Sequence, residues 1–76
     1  MAAISLTPAW QVLTDGTNNG ILSAPGTTLL YIGATAPTPA DAGMPFTGEK
    51  IQVAAPAKSW VKTAGLTAVD AIKFNY

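Results

Sequence analysis

Short runs rich in Val, Ile, Leu, Thr and aromatic residues alternate along this chain with clusters of Gly, Pro and Asn. That is the pattern of strands punctuated by turns. No window carries apolar residues at i, i+3, i+4 and i+7 over the length of a helix. The runs predict strands near 9–14, 20–24, 27–33, 49–54, 58–63 and 68–75, with a short N-terminal strand or arm over 2–6. Residues 64–72 are alanine-rich enough for a turn or two of helix. A strand is preferred, because Ile72, Phe74 and Tyr76 then line one face at period two.

Turn chemistry supports this division. Asp15-Gly16 and Asn19-Gly20 lie between the first two strands and supply the positive-φ positions that hairpins need. Pro25-Gly26 separates the next pair, the proline fixing one φ and the glycine permitting the other. Pro56 and Ala64-Gly65 mark the last two turns. Thr27 to Ile32 is apolar on both faces and reads as a central strand. Glu49 to Val53 alternates, with Ile51 and Val53 inward. The predicted core is Trp10, Val12, Ile21, Leu30, Ile32, Ile51, Val53, Val61, Ile72 and Phe74. The fold class is all-β: a small antiparallel sandwich or barrel of six to seven short strands in one domain over 1–76, with residues 1–8 as an N-terminal arm.

Residues 33–48 are the one long irregular segment. Their three prolines and three glycines argue against a regular ladder. Structureless loops beyond about 12–15 residues are uncommon in compact domains and are often functional. The segment reads as a crossover between sheets, as a docking loop with Met44, Pro45 and Phe46 at its tip, or as a loop for a free ligand.

Trp60 stands between Lys58 and Lys62, and in a strand all three share a face. A core should not hold two unpaired lysines. Trp60 is therefore either an outward anchor for a partner, or a core residue whose neighbours extend their methylene stems to solvent. Trp10 fits the core better, while the polar tips of Tyr31 and Tyr76 suit a rim or groove.

Composition narrows the function. The chain has no His, Cys or Arg, and four Lys balance Asp15, Asp41, Glu49 and Asp70, for a net charge of zero. Without His or Cys, a nucleophile has only scattered carboxylates and lysines to serve as its base, so no catalytic site is expected. The Asp15–Gly20 turn begins like a calcium loop but has Thr17 at the third position and Gly26 where the bidentate acid belongs. No metal or cofactor is expected. Four separated lysines make no basic stripe for nucleic acid, and no run approaches the ~20 apolar residues of a membrane helix. A domain of this length buries only about 60–65% of its unfolded surface, so oligomerisation or docking on a larger body is the expected source of added stability.

Three segments carry a resemblance: Leu30 to Thr38, then Ala42 to Phe46 with Gly48 to Ile51, then Ser59 to Gly65. Together they resemble the small all-β structural proteins of tailed bacteriophages, of the head-decoration or fibre-associated kind. The shared pattern is a strand, a small-residue G-x-x-A-P-T turn, a glycine-rich crossover and a strand ending in aromatic-Val-basic. This chain carries less charge than such proteins often do.

The resemblance implies a non-enzymatic virion protein on the capsid surface, assembled in the host cytoplasm. Its partner would be the major capsid protein or another virion protein, and it would act as a homo-oligomer. Expected contact residues are Trp60, Tyr31, Met44, Pro45 and Phe46, with Ile4 and Leu6 on the arm. A tail or fibre module recognising a host surface ligand is the alternative. A free accessory or inhibitor protein is a third reading.

Overall fold

The alternation of the sequence becomes two layers of strands. The computed structural model describes residues 2–75; Met1 and Tyr76, the latter expected at a rim, lie outside the described residues. The strands are β1 (Ala2–Leu6), β2 (Gln11–Asp15), β3 (Gly20–Ser23), β4 (Thr27–Ile32), β5 (Met44–Thr47), β6 (Ile51–Val53), β7 (Lys58–Thr63) and β8 (Val69–Asn75). They form two antiparallel four-stranded sheets, ordered β1-β8-β3-β6 and β2-β7-β4-β5. Of the expected all-β antiparallel sandwich or barrel, the fold is the sandwich, with eight strands among the described residues in place of six or seven.

Connectivity departs from the expected hairpins. β2 and β3 lie in different sheets, as do β3 and β4. The turns at Asp15–Gly20 and Pro25-Gly26 are therefore arches that carry the chain between sheets. Gly16 and Gly26 supply positive φ there, at 95° and 72°, as they would in a hairpin. Only β4 and β5 are consecutive strands paired with each other.

The segment 33–48, expected to be irregular throughout, contains β5. Proline is tolerated because β5 is an edge strand, where a missing N–H costs no ladder bond on the open side. The N-terminal stretch is not a free arm either. β1 pairs with β8 along its whole length, from Ala2 opposite Lys73 to Leu6 opposite Val69. Beyond it the Thr63 N–H donates to the Thr7 carbonyl at 3.1 Å.

The core between the sheets is Leu6, Leu13, Leu22, Leu30, Ile51, Val53, Val61 and Ala71. Leu30, Ile51, Val53 and Val61 were expected. Val12, Ile32, Ile72 and Phe74 are exposed, and Trp10 and Ile21 are half-buried. The four exposed ones have local causes. A bulge between Val12 and Thr14 shifts the register of β2 against β7, leaving Val12 outward and Leu13 inward. Ile32 ends its strand. Ile72 and Phe74 alternate with Ala71, which is buried, so their row faces solvent.

The inner face of β7 is partly polar. Ser59 and Thr63 are buried there, beside Thr14 and Thr28. The Thr14 and Ser59 hydroxyls bond at 2.7 Å, and Thr14 Oγ1 also donates to the Ala57 carbonyl at 2.8 Å. Among the described residues no buried side-chain polar atom lacks a partner, so this patch avoids the cost of unmet hydrogen bonds.

Candidate contact surfaces

Trp60 lies on the outer face of its sheet, as its lysine neighbours require. β4 and β7 pair so that Tyr31 is opposite Trp60 and Leu29 opposite Lys62. The Tyr31 ring stands 6.1 Å from Trp60 and 6.0 Å from Trp10, tilted at about 60° to each. This is the tilted geometry that aromatic pairs favour. Lys62 Nζ lies 4.6 Å from the Trp10 ring centroid, within cation–π range.

The chain itself covers part of this aromatic row. Trp10 Nε1 donates to the Thr38 carbonyl at 3.1 Å, tying the segment before β5 to the sheet. At Gly43 a Cβ would stand 2.7 Å from Trp10 Cη2 and 2.9 Å from Leu29 Cβ. Only glycine lets the backbone pass so close. Trp60 keeps only 9% of its surface. The expectation of an outward anchor is therefore corrected: Trp60 is outward but buried, and its contacts belong to the fold. Tyr31 is half-buried in the same row.

The other expected contact residues separate. Met44 is 62% exposed and Pro45 is exposed, while Phe46 is half-buried and packs on the core. These three lie on an edge strand rather than a loop tip; Met44 and Phe46 share one row, opposite Leu30 and Thr28, with Met44 at the strand's exposed start. Ile4 is half-buried against the core, and Leu6 is fully buried. Leu6 is thus a core residue and offers no contact surface.

Sequence reasoning missed a second surface. On the outer face of β1-β8-β3-β6, Ile72 is paired with both Ala3 and Ser23, and Phe74 with Ile21. Ile72 is 43% exposed and Phe74 38%. With Ala3 and Ile21 they make a small apolar patch, bordered by Asp70 and Gln52. One signal was available: Asp70 shares the alternating row of Ile72 and Phe74, which favours solvent for all three.

The charged groups do not converge. Asp15 holds its own turn: its Oδ1 accepts from Thr17 Oγ1 at 2.7 Å and from the Thr17 N–H at 2.9 Å. The Thr17 hydroxyl, and then its backbone N–H, hold this exposed carboxyl below the ordinary aspartate range. Asp41 Oδ2 likewise accepts from the Thr38 N–H at 2.7 Å. Among the described residues no three His, Cys, Asp or Glu side chains are placed to share a metal ion. No protein-family model matches this chain, and no curated protein or solved structure matches it.

Proposed function

We propose that this protein is a non-enzymatic structural subunit of a virion, a capsid decoration protein that binds the major capsid protein lattice. The observation that carries the reading is the apolar patch of exposed Ala3, Ile72 and Phe74 with half-buried Ile21 on one sheet face. Apolar side chains there lose surface to water on docking, a gain of roughly 25 cal/mol per Å². The phage resemblance of the sequence and the engagement of Asp15 and Asp41 in their own turns support the same reading.

The mechanism is mechanical. Each copy buries apolar surface across a joint between shell subunits, so separating those subunits also breaks the decoration contacts. Affinity per contact need only be modest, because contacts on one lattice are linked and act at high effective concentration.

The test is add-back to particles assembled without this chain. Purified wild-type protein should co-sediment with them and raise their thermal disruption temperature. Ile72→Lys should fold normally and bind at least tenfold more weakly. Wild-type protein that stays in the supernatant would overturn the proposal.

A further inference from the structure

A sandwich of two open sheets has four edge strands, here β1, β6, β2 and β5. Open edges invite pairing with other chains, and proteins blunt them with bulges, prolines, charges or short length. Three edges here are blunted. β2 carries its bulge, and Lys73 Nζ donates to the Val12 carbonyl there at 3.3 Å. β5 contains Pro45. β6 has three residues and follows Glu49 and Lys50.

β1 has none of these devices. Its sequence, Ala2-Ala3-Ile4-Ser5-Leu6, lacks charge and proline, and it runs in unbroken register with β8 over five pairs. The bond from the Thr63 N–H to the Thr7 carbonyl holds its far end in place. The strand is thus a fixed, open template. Ile4 is only half-buried although its side chain points to the core.

We infer that β1 is a self-association edge, pairing antiparallel with β1 of a second copy about a two-fold axis at Ile4. The two four-stranded sheets then become one of eight strands. Ile4 meets Ile4 of the second copy on the inner face, completing the burial that the single chain leaves open. Ala3 lies opposite Ser5 of the second copy on the outer face, and the uncharged strand brings no like charges together. The two exposed apolar patches around Ala3 and Ile72 become neighbours on one surface. Gln11 Nε2 already donates to the Ser5 carbonyl at 2.8 Å, and that oxygen keeps a second lone pair for the new ladder. The occupant is a second copy because the strand is its own complement under this two-fold. The inference extends the oligomeric part of the proposed function, and its test needs no particle, so the two can fail separately.

The test is sedimentation velocity on the full chain and two double variants at exposed outer-face positions. Wild type is expected to be a dimer. Ala3→Lys/Ser5→Lys sets like charges opposite each other twice across the seam, which should weaken the dimer about tenfold or more. Ala3→Lys/Ser5→Glu sets opposite charges at the same places and should keep it. Amide hydrogen exchange of wild-type residues 3–5 should slow as concentration rises. A wild type that stays monomeric, or a dimer indifferent to both lysines, would overturn the inference. So would equal weakening by both variants, or exchange that ignores concentration.

Discussion

Tyr31 and Trp60 stand directly opposite each other on β4 and β7, their ring centroids 6.1 Å apart, on the sheet face turned away from the core. A tryptophan on an outer face is ordinarily available to a partner. This one is 9% exposed, with Tyr31 opposite it on β4 and Val12 opposite it on β2. Trp60→Ala should therefore destabilise the fold by about 3 kcal/mol, and Trp60→Phe by much less. Denaturant titration of both variants checks this. An unchanged midpoint for Trp60→Ala would mean that the ring contributes little to the folded chain.

The Thr14–Ser59 hydroxyl pair makes an asymmetric prediction. In Ser59→Ala, Thr14 still donates to the Ala57 carbonyl. In Thr14→Val, both the Ser59 hydroxyl and that carbonyl lose this partner in a buried site. Thr14→Val should cost about 1–3 kcal/mol and Ser59→Ala distinctly less. The double variant should cost less than the sum, since the pair shares one network. Equal and additive losses in thermal melts would contradict this account of the polar patch.

Gly43→Ala should lift the segment before β5 from the sheet. The added methyl meets Trp10 Cη2, Leu29 Cβ and the Leu30 carbonyl, all within 3.1 Å, and overpacking of this kind costs about 1–3 kcal/mol. The indole N–H of Trp10, bonded to Thr38, reports the change in an NMR spectrum. Its resonance should shift and its exchange with solvent should quicken. An unaltered indole signal would show that the contact is not tight.

Asp15 gives a pH-dependent prediction. Its folded pKa lies below the ordinary value because Thr17 donates to the carboxylate. A lowered folded pKa contributes stability above the unfolded pKa, and that contribution is lost as pH falls through the folded one. The carboxyl should titrate below the ordinary aspartate midpoint, and Thr17→Ala should raise that midpoint by removing the hydroxyl. An NMR titration in which Thr17→Ala changes nothing would refute the assigned cause.

Much of the fold was legible in the sequence. Lys58 to Thr63 and Thr27 to Ile32 are strands of nearly the expected length, because alternation and flanking turn residues both mark them. The inward row of Ile51 and Val53 was legible for the same reason. Three features were not. The bulge in β2 exchanges Val12 for Leu13 in the core, and no residue type there announces it. Ile21 and Leu22 are both apolar, so only sheet pairing decides which one faces in. The arches use the same Gly and Pro turns that hairpins use, so the sheet to which each strand belongs is a tertiary property. For the contact surface, Lys58 and Lys62 left Trp60 either outward or in the core; it stands on the outer face opposite Tyr31 and is buried there. The contacts along that face join Trp10 to Tyr31, Thr38 and Gly43, too far apart in sequence for local patterning to link.

The proposed role makes this chain a repeating component of a virion shell. Quantitative mass spectrometry of purified particles, measured against the major shell protein, tests it most directly. Many copies are expected, in a simple whole-number ratio to that protein. A few copies per particle would contradict the proposed decoration role and favour the tail or fibres. Its absence from particles would contradict every virion assignment.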